Sequence, residues 1–315
     1  MEYGFGVDLG GTAVKLGYYH VSGKLLDKWE IPTDTRENGA YVLEDIARSV
    51  EEYMAKNRIP RDKILGIGLG VPGPVDAQGN VNRCVNLGWG VFNVEEALGE
   101  LTGFAVKAAN DANVAALGEC WQGAGKGSEN AVMLTLGTGV GGAVILDGKI
   151  LPGARGAAGE VGHMVMEPAE KEPCSCGKFG CAEQYCSATG IVRVAKRHLK
   201  LSFEDSSLRH IEPLTSKDIF DAAKADDPVA REIMEQFFDY LARLTANVCA
   251  VVNPDTVIIG GGVSKAGGML LEGLERHFQT HAFHGVTGVR FVLATLGNDA
   301  GTCGAFRLIQ QHHGA

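Results

Sequence analysis

The chain has 315 residues, enough for one large or two modest domains, and its 45% hydrophobic and 21% charged residues are an ordinary globular balance. No apolar run approaches the roughly 20 residues of a membrane-spanning helix, which argues against an integral membrane protein. The net charge of -9, with no cluster of Lys and Arg interleaved with aromatics, argues against a nucleic-acid partner and for a small ligand.

The N-terminal MEYGFGVDLGG has neither the basic start nor the apolar stretch of a signal peptide, so the eight cysteines read as thiols of a reducing, cytoplasmic compartment. Residues 3–31, YGFGVDLGGTAVKLGYYHVSGKLLDKWEI, read as a strand, a Gly-rich loop, a strand, a tight turn at Ser22-Gly23 and a third strand. Residues 40–56 carry apolar positions three and four apart, the pattern of an amphipathic helix. ILGIGLGVPG is then a short buried strand running into a Gly/Pro loop. AVKAANDANVAALGE, residues 105–119, is strand-like to Asn110 and suits a helix from Ala112 to Glu119.

Residues 131–151, AVMLTLGTGVGGAVILDGKIL, repeat the opening arrangement, with Asp147-Gly148 as the hairpin turn. TVIIGGGVSKAG, residues 256–267, echoes ILGIGLGVPGPV as a buried strand ending in glycines. The chain therefore reads as two similar α/β halves, each a mixed sheet with helices on its faces, and ligands are expected where strand ends of the halves meet. Residues 198–217 are polar and irregular, the pattern of a surface connection.

Glycine numbers 44 residues, far above the usual share of about 7%, and it is clustered, which points to tight turns and backbone brought close to a ligand. Two stretches match G-x-G-x-x-G, at Gly68, Gly70, Gly73 and at Gly137, Gly139, Gly142. Neither opens a helix whose N-terminus could hold a pyrophosphate, so a dinucleotide site is not read here. Asp8-Leu-Gly10-Gly11-Thr12 and Gly137-Thr138-Gly139 remain, each at a strand end in a hairpin. Backbone N–H groups and a Thr hydroxyl make a phosphate cradle without net charge; tight packing turns are the other reading.

PCSCGKFGCAE, residues 173–183, holds three of the cysteines. They are too close in sequence for comfortable disulfides, and Gly177 and Gly180 would let the backbone converge three sulfurs. With His163 eleven residues before Cys174, the set supplies the four N/S ligands of a closed zinc site. Cys84, Cys120, Cys186, Cys249 and Cys303 read as small core residues, and Trp89 as core. Asp111, near a helix start, reads alone either as an N-cap or as a functional carboxylate. Glu160 and His163 would share one face of a helical turn. Glu160 alone could be a solvated carboxylate, but its surroundings, GAAGEVGHM, hold few other charges and make a surface location less expected.

VDLGGTAVK, with Asp8, Gly10, Gly11, Thr12 and Lys15, together with LTLGTGVGG and IIGGGV, resembles the two phosphate motifs and the adenosine motif of the sugar kinase, heat-shock chaperone and actin ATPase superfamily. GEVGHM followed by CSCGKFGCAE narrows the resemblance to the ROK family (repressors, open reading frames, kinases), most closely its bacterial glucokinases, over nearly the whole chain. The fold implied is two ribonuclease H-like (actin-like ATPase) lobes with a cleft between them. The N-terminal lobe is residues 1–110 plus a returning C-terminal helix at 302–315. The other lobe, 111–301, carries the zinc loop and a dimerisation surface.

The activity implied is transfer of the γ-phosphoryl of Mg-ATP to the 6-hydroxyl of D-glucose. Another hexose (N-acetylglucosamine, N-acetylmannosamine or mannose) is the alternative, and a sugar sensor or repressor is less expected. In the NDAN motif Asp111 is implied as general base, and Asn86, Asn110, Asp111, Glu160, His163 and Glu183 as sugar contacts. Gly260, Gly261 and Gly262 join Asp8, Gly10, Gly11, Thr12, Lys15, Gly137, Thr138 and Gly139 around the nucleotide, with Asp8 placing Mg²⁺ through water. The same resemblance implies structural zinc on His163, Cys174, Cys176 and Cys181, and a homodimer or homotetramer.

Overall fold

The computed structural model of the protein describes residues 1–314. The first sheet is built from β1 (Tyr3–Leu9), β2 (Ala13–His20), β3 (Leu25–Pro32), β4 (Ile64–Val71) and β7 (Val106–Asn110), in the order β3-β2-β1-β4-β7. β1, β2 and β3 form an antiparallel meander, while β1, β4 and β7 run parallel. A small ribbon pairs β5 (Asn80–Cys84) with β6 (Trp89–Asn93). The helices of this part are a short turn α1 (Arg36–Gly39), α2 (Val42–Asn57), α3 (Val94–Thr102) and α4 (Asp111–Gln122). Helix α2 is the one read from its spacing: Val42, Leu43, Ile46, Ala47, Val50 and Met54 are its buried stripe.

The second sheet has the order β10-β9-β8-β11-β12, from β8 (Ala131–Leu136), β9 (Val140–Leu146), β10 (Lys149–Ile150), β11 (Thr256–Gly260) and β12 (Arg290–Leu293). β8, β11 and β12 are parallel. Its helices are α5 (Glu183–Cys186), α6 (Ala188–Leu201), α7 (Ser216–Lys224), α8 (Pro228–Val252) and α9 (Gly268–His281). The chain ends in α10 (Ala300–His312). Two mixed sheets with helices are thus present, as the duplicated pattern led one to expect.

By compactness the chain divides into one unit of Met1–Glu129, Ala143–Gly159 and the residues from Thr295 onward, and a second of Asn130–Gly142 and Glu160–Ala294. Within the first unit α10 lies on β1 and β4 and beside α4. Glycines make this possible: a Cβ on Gly6 would stand 1.9 Å from Thr302 O, one on Gly68 1.6 Å from Ala305 O, and one on Gly304 1.6 Å from Val114 O. Several of the clustered glycines therefore serve helix packing, where the sequence pattern had suggested turns and a ligand.

Residues 198–217 are mostly exposed, the surface connection expected, with some local order within them. Helix α6 runs to Leu201, and a 3-10 turn at Ser207–His210 buries Leu208, with Leu214 buried beyond it. Arg209 donates to the carbonyls of Leu199, Ser202 and Glu204 and fastens the segment. No helix among the described residues is long and apolar enough to cross a membrane. Cys84, Cys120, Cys186, Cys249 and Cys303 are buried, and Trp89 is buried with its indole N–H donating to Gly39 O, as core residues should be.

Candidate active site

In the first unit the chemistry collects at the carboxyl ends of parallel strands, where open α/β sheets bind ligands. Asp8 is the last residue but one of β1. After it the hairpin loop closes on itself: Gly10 N–H donates to Ala13 O at 3.1 Å, and the Thr33 hydroxyl donates to Gly10 O at 2.7 Å. Gly11 and Thr12 are exposed, and a Cβ on Gly11 would meet nothing within 4 Å, so the loop presents backbone to open space. Lys15 is the cross-strand partner of Asp8. Burial raises the Asp8 carboxyl above its ordinary value, Lys15 opposes that, and the negative charge of Asp111 adds to it.

The step from β7 into α4 shows that Asn110, and not Asp111, is the N-cap. Asn110 is the N-cap: its Oδ1 accepts from Ala112 N–H at 2.9 Å and Asn113 N–H at 3.3 Å, and its Nδ2 donates to Gly73 O at 3.3 Å. Asp111 is the first helical residue, half-buried, with Oδ1 accepting from Ala112 N–H at 2.8 Å. Asn86 sits exposed on a 3-10 turn between β5 and β6. Asn113, which the motif reading left out of the site, is 2% exposed, and its Oδ1 finds no donor among the described residues. An unmet buried carbonyl costs about 1–3 kcal/mol, so a water or ligand hydroxyl is the natural donor there. The sequence signal was its place in the NDAN motif.

In the second unit the loop from β8 to β9 carries Gly137, Thr138 and Gly139, with Gly137 N–H donating to Gly139 O at 3.0 Å. The end of β11 carries Gly260, Gly261 and Gly262. Gly261 has φ +83, and a Cβ there would stand 2.5 Å from Leu136 O, so only glycine lets this turn approach the residue preceding Gly137. The two glycine loops of this unit are therefore neighbours.

Glu160 and His163 bracket a 3-10 turn over Val161–His163, as the shared-face reading required. Both are exposed, and for Glu160 this corrects the expectation that its surroundings keep it from the surface. Val161 and Gly162 take the buried positions, a Cβ on Gly162 falling 2.1 Å from Val140 O, and the two polar residues are left outward. Glu183 opens α5, half-buried.

His163, Cys174, Cys176 and Cys181 bring one ligand atom each to within 4.8 Å of one another. His163 Nδ1 is 4.0 Å from Cys174 Sγ, and Cys176 Sγ is 3.7 Å from Cys181 Sγ. A tetrahedral zinc with Zn–S bonds of about 2.3 Å sets its sulfurs about 3.8 Å apart, so the donor set and spacing fit that ion. Gly177 and Gly180 turn the loop with φ of +81 and +72. Burial pushes the Cys181 thiol up to about 12, while the Lys178 backbone N–H lowers Cys176.

Asp8 with its half-buried carboxylate, and Asp111 nearby, are a donor set of hard oxygens suited to a hydrated Mg²⁺. Mixed α/β sheets with glycine loops at the ends of parallel strands define the class of actin-like ATPases and sugar kinases. The ROK family pattern matches residues 4–312, and the chain belongs to the ROK family. It is 42% identical over 316 residues to a glucokinase of Halalkalibacterium halodurans, covering 97% of this chain and 94% of that one. A glucokinase of Thermotoga maritima is 37% identical, with 98% of each chain covered. Among solved structures, a ROK family glucokinase from Streptomyces griseus in complex with glucose and AMPPNP has a TM-score of 0.74 and 29% identity, covering 98% of this chain and 99% of that one.

Proposed function

We propose that the protein is an ATP-dependent glucokinase, transferring the γ-phosphoryl group of ATP to the 6-hydroxyl of D-glucose. The observation at the site that carries the reading is that Asn110 is the N-cap of α4 and Asp111, the residue after it, sets its carboxylate at the head of that helix beside Asp8. There it can accept the proton of a sugar hydroxyl. The hydroxyl oxygen forms its bond to the γ-phosphorus as the bond to the β,γ-bridging oxygen breaks, ADP leaves, and the proton passes to Asp111. Such a base contributes about 100 to 10,000-fold in rate.

In this reading Asn86, Asn110, Glu160, His163 and Glu183 hold the sugar hydroxyls. The backbone of Gly10, Gly11 and Thr12 and of Gly137, Thr138 and Gly139 cradles phosphates, helped by Lys15, and Gly260, Gly261 and Gly262 admit the adenosine. Asp8 would hold Mg²⁺ through water; the ion neutralises phosphate charge. His163, Cys174, Cys176 and Cys181 would hold zinc as a closed structural ligand set. Because Nδ1 is the His163 nitrogen facing Cys174, Nε2 is left for the sugar. The assembly proposed is a homodimer or homotetramer, and the location cytoplasmic.

The test is a coupled ADP-release assay with Mg-ATP and glucose, mannose, N-acetylglucosamine and N-acetylmannosamine. Glucose should give by far the highest kcat/KM. A higher value for an acetylated sugar would move the substrate and leave the mechanism; no ADP from any sugar would overturn the kinase reading.

A further inference from the structure

The Glu183 carboxylate stands between two loops of the second unit. Its Oε1 accepts from the Ser175 hydroxyl at 2.8 Å, and Ser175 is the residue between Cys174 and Cys176. Its Oε2 accepts from Val140 N–H at 3.1 Å, at the exit of the Gly137-Thr138-Gly139 loop. A Cβ on Gly139 would stand 2.2 Å from that oxygen, so glycine is what admits the carboxylate to the loop.

The residues after Glu183 hold the same loop from its carbonyl side. Ala188 N–H donates to Gly137 O at 2.8 Å, and the Thr189 hydroxyl to Thr138 O at 2.7 Å. The Ser187 hydroxyl donates back to Glu183 O at 2.7 Å, and caps α6 through Gly190 N–H. With these groups engaged, the N–H groups of Thr138 and Gly139 are the ones with no partner among the described residues, and so are the donors left for a phosphate. A carboxylate has about four acceptor positions. On Glu183 Ser175 and Val140 take two and the Cys174 Sγ, 3.7 Å from Oε1, takes a third, which leaves one for a sugar hydroxyl without breaking these ties.

We propose that Glu183 is the link through which the sugar sets the glycine loop for the nucleotide, and that Ser175 is the positioning residue that holds the link. The proposal rests on the reading of Glu183 as a sugar contact. A hexose that immobilises the carboxylate also immobilises Val140 N–H and the loop, so a nucleotide arriving second has less ordering to accomplish. Hexose and nucleotide then bind with positive coupling, which is reciprocal.

The experiment is calorimetric titration of AMPPNP with Mg²⁺ into wild type, Ser175→Ala and Ser175→Thr, each with and without saturating glucose, so that binding is read without turnover. In wild type, glucose should tighten AMPPNP about 5-fold or more. In Ser175→Ala both ligands should still bind, with the coupling factor falling toward one, and Ser175→Thr, which keeps the hydroxyl, should restore it. Wild-type coupling in Ser175→Ala, or no coupling in wild type, overturns the link. Failure of wild type to bind glucose at all overturns the glucokinase reading instead.

Discussion

Asp8 on β1 and Asp111, just past the end of β7, come together beside the intervening β4 at Gly70, where an added Cβ would stand 3.7 Å from both Asp8 Oδ1 and Asp111 Cα. The charge of Asp111 raises the Asp8 carboxyl, on top of the larger effect of burial. Two carboxylates placed so oppose each other when both are ionised, an arrangement that structure alone does not reward and that a bound cation relieves. Native Asp8 holds its proton above the ordinary value of 3.8. The stability its neutral form contributes is therefore full below that value and is lost as pH rises through the native one. Asp8→Asn removes the loss. It should be at least as heat-stable as wild type at pH 7 and show a flatter dependence of Tm on pH above 4, while kcat/KM for Mg-ATP falls. A variant less stable than wild type at neutral pH would count against this account.

Asp111→Asn tests the other partner. Because Asn110 supplies the cap, the helix should keep its start and Tm should change little. Glucose affinity, read by calorimetry, should stay within a few-fold, and kcat should fall about 100 to 10,000-fold. A variant that unfolds, or one that turns over normally, would remove Asp111 from the role of base.

How much of this was legible in sequence depends on the range of the interaction. The 3/4 spacing of α2 and the turns at Ser22-Gly23 and Asp147-Gly148 are local, and each stands where it was read. The convergence of Cys174, Cys176, Cys181 and His163 also follows from short spacing and two glycines. Gly6 and Gly68 were not legible in the same way, since what they accommodate is a helix some 240 to 300 residues on, at Thr302 and Ala305. Asp111 could be told from an N-cap only by seeing Asn110 take the N–H groups of Ala112 and Asn113. Glu160 was misjudged because charge density in the sequence does not say which side of a three-residue turn faces inward.

Metal removal is the third test. A tetrahedral zinc held by His163, Cys174, Cys176 and Cys181 would keep no open position for water and would act by holding the loop that carries Ser175 and leads to Glu183. Purified protein should contain about one zinc per chain by elemental analysis. Stripping it with a chelator should lower Tm by several degrees and weaken glucose binding together, with both restored on adding zinc. A zinc-free preparation with unchanged Tm and glucose affinity would refute the structural metal.

Glu119 offers a test of the frame behind the site. It is fully buried in the last turns of α4, and its carboxylate accepts from the N–H groups of Ala124 at 2.9 Å, Thr295 at 3.0 Å and Leu296 at 2.7 Å. These last two residues lead into α10, whose Gly301 lies so close to Asp8 that a Cβ would stand 2.5 Å from the Asp8 Cγ. Glu119→Gln replaces one acceptor oxygen by an amide that faces N–H donors. It should cost about 2–4 kcal/mol in denaturant unfolding, with hydrogen bonds to a charged group worth about 1.5–3 kcal/mol each. A loss below about 0.5 kcal/mol, the range of an ordinary surface change, would show that the carboxylate is not holding this junction.

Glu170 makes the matching case in the second unit. Its side chain is 3% exposed and accepts from Arg193 at 2.9 Å, from Arg197 at 3.1 Å and from the Tyr185 hydroxyl at 2.6 Å. Next to it Glu172 pairs with Arg193, and the Glu172 carbonyl accepts from Gln184. The network therefore clamps the chain entering the cysteine loop against α5 and α6. Arg197 and its fellow donors hold the Glu170 carboxyl well below its ordinary value of 4.5. The stability this provides is full above that value and is lost as pH falls through the lower native one. Glu170→Gln should thus lower Tm at pH 7, and the gap from wild type should narrow steadily as both are taken from pH 5 to pH 3. A gap that stays constant over that range would mean that the carboxylate's charge is not what holds the clamp, and that packing of the Tyr185 ring on Tyr240, at 4.3 Å between centroids, carries it instead.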